Sequence, residues 1–214
     1  MIKGVIFDMD GVLVDSEEHI CKAAMLMFEK RGLHVKPEDF LPFVGRGEDK
    51  YLGGVAQKYN LKVDIEKVKA ETYHIYETLV EGNLEPLPGV VDFIQKAKQK
   101  NLKIAVATSA DRIKMEINLR NIGLGEEIFD ATVNGLEVDH KKPDPEIFLL
   151  AAKKIGLHPN ECLVVEDAIN GVEAAKKAGA KCLGLTTSFN QEELKQADWI
   201  AKNLADASEE VLNW

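Results

Sequence analysis

Five short apolar runs, most of them rich in β-branched residues, punctuate the chain: KGVIFD (3–8), KIAVAT (103–108), FDATVN (129–134), CLVVED (162–167) and KCLGLT (181–186). They are apolar throughout rather than alternating, which is the pattern of a strand buried on both faces, and the last four are separated by helical patterns. Parallel strands covered on both sides by crossover helices satisfy both facts, so the spacing predicts an α/β fold with a doubly wound, Rossmann-like parallel sheet. The punctuation agrees. PGVVDFIQKAKQKN precedes the second strand, and DRIKMEINLRNIG follows it and stops at Gly123. DPEIFLLAAKKIG takes Asp144 as N-cap with Pro145 at the first helical position and closes at Gly156, and AINGVEAAKKAG closes at Gly179.

After the first strand the rhythm changes. Between Asp15 and Pro88 the pattern is helical, with no convincing strand. Ser16 can cap a helix with Ile20, Ala23, Ala24, Met27 and Phe28 on its apolar face, ending before Gly32; Met25 and Met27 are packing residues. Asp64 can cap another that carries Ile65, Val68, Ile75, Tyr76 and Leu79 and ends before Gly82. GNLEPLPG (82–89) then reads as a return linker. The expected organisation is a core of residues 1–15 and 88–214 with an all-helical cap, 16–87, inserted after the first strand.

The 214 residues carry a formal net charge of −9, which argues against nucleic acid or an anionic membrane as the main partner, because phosphate-backbone binding needs clustered Lys and Arg. No apolar run approaches the ~18–20 residues of a spanning helix, and strand residues begin where a signal peptide would need a basic-then-apolar layout, so a cytoplasmic protein is expected. Cys21, Cys162 and Cys182 are widely spaced, without a C-x-x-C or a paired His, and read as small packing residues. No heptad or apolar stripe calls for more than a monomer.

Ligands of open α/β sheets bind at the carboxyl ends of the strands. Those ends bring Asp8 and Asp10 after the first strand, Thr108 and Ser109 after the second, Glu166 and Asp167 after the fourth, and Lys142 from the loop HKKPDP. Like charges this close repel unless a cation or proton separates them, and oxygen donors of this kind suit Mg²⁺. A carboxylate can then attack phosphorus while cations neutralise the phosphoryl oxygens and a second acid protonates the leaving oxygen. Asp15 is expected to bond loop N–H groups at the hinge instead.

FDMDGVLVDS, VATSAD, KKPDPEIF and VVEDAINGVEAAKKAG resemble, in order, motifs I to IV of the haloacid dehalogenase (HAD) superfamily, and the helical insertion is similar to its type 1 cap. The resemblance implies that Asp8 is the nucleophile and a Mg²⁺ ligand, and that Asp10 is the general acid/base and offers its backbone carbonyl to the metal. It further implies that Thr108 and the Ser109 region hold the phosphoryl group and that Lys142 bridges nucleophile and phosphate. By the same resemblance Asp167 ligates Mg²⁺ and Glu166 supports the ion, either as a direct ligand or through a residue or water that is one. Asp10 disfavours carbon–halogen chemistry, since the superfamily's dehalogenases lack that acid. Within the superfamily the chain resembles β-phosphoglucomutase-like and sugar-phosphate phosphatase members, and PFVGRGEDKYLGGVA is similar to the cap of HAD modules in some plant chloroplast proteins. Arg46, Lys69 and His19 are approximate counterparts of the mutases' substrate-contacting cap residues, while Asp111 and Arg112 stand where a mutase has a basic residue or Ser. The implied activity is Mg²⁺-dependent hydrolysis of a small phosphomonoester, a sugar phosphate first, with β-phosphoglucomutase as the alternative. A receiver-like signalling module is opposed by the position of the acceptor Asp on the first strand and by the size of the insertion.

Overall fold

The computed structural model describes residues 1–44 and 47–214. Its six strands, β1 (Gly4–Phe7), β2 (Lys103–Ala107), β3 (Ala131–Val133), β4 (Cys162–Glu166), β5 (Lys181–Leu185) and β6 (Trp199–Ala201), form one parallel sheet in the order β3-β2-β1-β4-β5-β6. The five expected runs are the first five strands. The sixth is a half-exposed edge strand of three residues, too short and too wet to leave an apolar run; Trp199 stacks on Trp214 at 6.3 Å.

Burial on both faces follows from the pleat, which sends successive side chains to opposite sides. Val5, Phe7, Ile104, Val106, Leu163 and Val165 enter one core with Phe93 and Ile94 of the fourth helix, α4 (Val90–Gln99), and Met115 and Leu119 of the fifth, α5 (Arg112–Asn121). Ile6, Ala105, Val164 and Cys182 enter the other with Ile147 and Phe148 of α6 (Glu146–Lys154) and Val172 and Ala175 of α7 (Ile169–Ala178). Gly179, at φ +82°, ends α7 in the left-handed conformation that its missing Cβ permits.

Between β1 and α4 lie α1 (Glu17–Glu29), α2 (Glu48–Lys58) and α3 (Ile65–Val80), and no strand is found there among the described residues. Met27, Phe28, Phe40, Leu52, Val55 and Val68 form a separate cluster, while Ile20, Ala23, Tyr73 and Tyr76 pack on the sheet's core. The two chain crossings run side by side: Val14 bridges Pro86, and the Leu87 N–H donates to the Leu13 carbonyl at 2.9 Å. Asp64 caps α3 by accepting the Lys67 N–H at 3.3 Å.

Two expected caps differ. Ser16 occupies the N-cap position of α1 but makes no side-chain cap bond, because its hydroxyl is given to Asp10. Pro145, not Asp144, is the N-cap of α6; Asp144 instead accepts the Glu146 N–H at 3.0 Å, the first amide available past a proline that has none. All three cysteines are free, and no described helix is long and apolar enough to cross a membrane.

Candidate active site

The strand order reverses between β1 and β4, and the register puts Phe7 beside Val165, so the residues that follow these strands emerge together. The Asp8 N–H donates to the Val165 carbonyl at 2.9 Å, continuing the ladder one residue beyond β1. The chain then turns tightly, with Leu13 N–H on the Met9 carbonyl at 2.8 Å and Gly11 at φ +78°. A Cβ on Gly11 would collide with the Asp167 carboxylate, so only glycine lets this turn lie against β4's end. Asp15 accepts the Glu17 N–H at 3.4 Å, its expected place at the hinge.

Lys142 lies between two acids. Its Nζ is 2.5 Å from Asp8 Oδ1 and 2.5 Å from Glu166 Oε1, and it sits 4.8 Å from the Phe148 ring centre. The second Glu166 oxygen accepts the Asp167 and Ala168 N–H groups, both at 2.8 Å, so this carboxylate also satisfies amides at the start of α7. Both Glu166 oxygens are thereby committed to the protein. Asp167 accepts hydrogen bonds from Ser188 and, at 3.5 Å, Thr187. Thr108, buried at the end of β2, accepts the Ala110 N–H at 3.1 Å, which leaves its own O–H free to donate.

These groups line a cavity of about 670 Å³ shared by Asp8, Asp10, Thr108, Ser109, Lys142, Glu166 and Asp167. Among the described residues, His19 and Lys69 do not line it, against expectation. Lys69 is held by Asp111 at 2.8 Å and Asp49 at 2.7 Å and joins α3 to the start of α5. His19 is half-buried, its Nδ1 without a hydrogen-bond partner among the described residues. Arg46 lies outside the described residues. Asp111 is occupied with Lys69, and Arg112 turns outward to Glu116 at 2.5 Å.

Sequence reasoning missed the basic group of this half of the cavity, which comes one helical turn past Asp111. Lys114, 6 % exposed at its side chain, donates to Asp10 Oδ2 at 2.9 Å; Ser16 and, at 3.4 Å, Asn118 donate to Oδ1. Glu17, Glu48 and Tyr51 of the helical segment line the same region. The available signal was spacing: Lys114 and Asn118 are four residues apart on the buried face of α5, beside Met115.

Burial is the largest influence on Asp8; with the negative charge of Glu166 it outweighs Lys142 and pushes the carboxyl from 3.8 up to about 7. Burial, then Glu166 and Asp8, raises Asp167 well above the usual carboxylate range. Burial works against the Lys142 charge, but Asp8 and Glu166 outweigh it and raise the ammonium. The Asp8 and Asp167 carboxylates are hard oxygen donors in a site that strains to keep its acids ionised, and such a donor set fits a divalent cation. The tightest trio of possible ligands among the described residues, His140, Asp144 and Glu146, is instead a surface turn in which Glu146 accepts the His140 N–H at 2.9 Å.

A raised folded-state pKa means that the proton is held more tightly in the folded chain. For Asp8 that stability is complete below 3.8 and is lost as pH rises through about 7. Glu48, also pushed up to about 7, chiefly by burial, acts in the same direction. Metal-free protein is therefore expected to melt several degrees lower at pH ~8 than at pH ~5.5, and millimolar Mg²⁺ to restore much of the difference at the higher pH. Thermal melts by circular dichroism check this, and a flat pH profile with no Mg²⁺ response would count against an acid-strained metal site.

The comparisons with known proteins converge. Residues 2–179 match the model of the haloacid dehalogenase-like hydrolases. The chain belongs to this family. It is 41 % identical to the Arabidopsis thaliana chloroplastic protein SUPPRESSOR OF QUENCHING 1 over 92 % of its length, and spans only 19 % of that longer protein. To the phosphorylated carbohydrates phosphatase of Thermotoga maritima it is 33 % identical, with 88 % of each chain covered. Among solved structures, CbbY from Rhodobacter sphaeroides in complex with phosphate superposes with a TM-score of 0.87 at 27 % identity, covering both chains completely. As a HAD hydrolase of type 1, the chain is read as a phosphomonoester hydrolase.

Proposed function

We propose that this chain is a Mg²⁺-dependent phosphatase of small phosphomonoesters, sugar phosphates first, working through an aspartyl phosphate on Asp8. The observation that carries the reading is Lys142 bridging Asp8 and Glu166 in the lining of a cavity that Thr108 and Asp167 share. Asp8 attacks phosphorus, the bond from phosphorus to the leaving oxygen breaks, and the proton of Asp10 passes to that oxygen to release the alcohol. Water then gives a proton to Asp10 as its oxygen bonds to phosphorus; the acyl-phosphate bond breaks, freeing phosphate and the Asp8 carboxylate. Lys142 neutralises the phosphoryl oxygens, and the free Thr108 O–H donates to one of them. Glu166 holds Lys142 in place, a positioning role that follows from both its oxygens being occupied. Mg²⁺ held by Asp8, Asp167 and the Asp10 carbonyl would supply further neutralisation of the phosphoryl charge. The helices 16–87 act as the cap that covers the leaving group, and the size of the cavity suits a sugar-sized one.

A panel of phosphorylated metabolites with Mg²⁺, including both anomers of glucose 1-phosphate, tests this. Release of stoichiometric inorganic phosphate from one or more sugar phosphates is expected. Conversion of β-glucose 1-phosphate to glucose 6-phosphate without phosphate release would make the chain a mutase and overturn the proposal.

A further inference from the structure

The geometry points to Lys114 and Asn118, on one face of α5, as the residues that position Asp10 for proton transfer. Resting on the phosphatase reading above, this explains a buried ammonium to which the four motifs give no role. Lys114 meets Asp10 Oδ2 at 2.9 Å and Asn118 reaches Oδ1 at 3.4 Å, one helical turn apart, while Ser16 donates to Oδ1 from the start of α1. Asn118 is itself fixed, since the Tyr76 hydroxyl of α3 donates to its side-chain oxygen and its amide nitrogen also contacts the Met9 sulfur at 3.7 Å. A carboxylate offers about four lone-pair sites. Three donors fill three of them and lock the plane of the carboxylate, leaving one site to carry the proton that the leaving oxygen receives or that the attacking water gives up.

Lys114 is an acceptable cation here because carboxylates face it from both sides. Asp10 lies on the core side; Glu17, first residue of α1, and Glu48, first residue of α2, face it from the helical segment, with Tyr76 of α3 completing the surround. The clamp on Asp10 is thus assembled from core and cap together. Its recorded hydrogen bond goes to Asp10, which separates it from Lys142, whose partners are Asp8 and Glu166.

The test is the dependence of kcat/KM on the leaving group, measured with an aryl phosphate series running from p-nitrophenyl phosphate to phenyl phosphate. Nitrophenolate leaves without help, whereas phenolate, conjugate base of an acid of pKa ~10, needs a proton. Lys114→Met is expected to change kcat/KM for p-nitrophenyl phosphate by less than about 3-fold and to lower that for phenyl phosphate by about 10²-fold, the low end of general acid catalysis. Because kcat also includes hydrolysis of the aspartyl phosphate, it should fall for both substrates. Asn118→Ala, which keeps the charge balance, should shift the same ratio in the same direction by a smaller factor, and Lys114→Arg should recover part of it. Equal losses of kcat/KM on both substrates, or a rise in KM alone, would overturn the assignment and leave Lys114 a structural or substrate-binding cation. A wild-type enzyme that releases phosphate from neither the aryl series nor the sugar phosphates would instead overturn the phosphatase reading itself.

Discussion

Asp8→Asn is expected to lower turnover by a factor of order 10⁶, the cost of deleting a covalent nucleophile, while leaving the fold intact. An amide in place of the carboxylate cannot give an acyl phosphate, so no phosphorylated protein should be seen by intact-mass analysis after acid quench. The fold survives for a reason already visible in the site. Burial makes the ionised Asp8 carboxylate costly, to the point of raising its pKa to about 7, and the neutral amide removes that cost together with its repulsion of Glu166. The variant should therefore melt no lower than the wild type at pH ~8 when both are metal-free. A residual rate within about 10²-fold of wild type, in protein whose Asn is shown not to have deamidated, would mean that the nucleophile is misassigned.

Lys142→Met should have the largest effect on stability. The ammonium is 2.5 Å from each of two carboxylates, one 1 % and the other 10 % exposed at the side chain, with Asp167 adjacent. Removing one member of a buried ionic group leaves the others uncompensated and costs about 3–5 kcal/mol, a large part of the 5–15 kcal/mol that holds a typical domain folded. The loss should be greater at pH ~8, where Asp8 is driven to ionise, than at pH ~5.5, where it takes up a proton. Urea midpoints at the two pH values measure the difference. Activity should fall by a further 10²- to 10³-fold, roughly the contribution of one preorganised donor to the transferring group. An unchanged midpoint at pH ~8 would show that Asp8 and Glu166 do not depend on this cation.

How much of the site could be read from the sequence followed from how each residue is placed. Asp8, Thr108, Glu166 and Asp167 stand at or one residue beyond strand ends, where a parallel sheet delivers everything to one edge, so finding the strands was enough to group them. Lys142 sits in a loop, but the proline after it and the helix start beyond it fixed where that loop must be. Cap residues had no such constraint. One residue along a helix turns a side chain by about 100°, so an approximate motif match cannot say which face His19 or Lys69 presents. Lys69 turned out to serve an ion pair with Asp111 across the packing of α3 on α5. Lys114 escaped for the opposite reason: a lysine among apolar residues on a helix reads as a solvated edge unless its partners, here Asp10 and Glu17 far earlier in the chain, are known to be there.

The sequence by itself determined the alternation of elements, the doubly wound parallel sheet and the set of oxygen and ammonium groups at its carboxyl edge, because strand period, helix punctuation and strand-end position are local properties. Only the tertiary structure decided which acid each ammonium would take, that Ser16 would serve Asp10 instead of its own helix, and that α5 would supply the second buried cation. Those outcomes depend on distances between segments that are remote in the chain. Coulomb attraction and desolvation, which vary steeply with such distances, select the pairs.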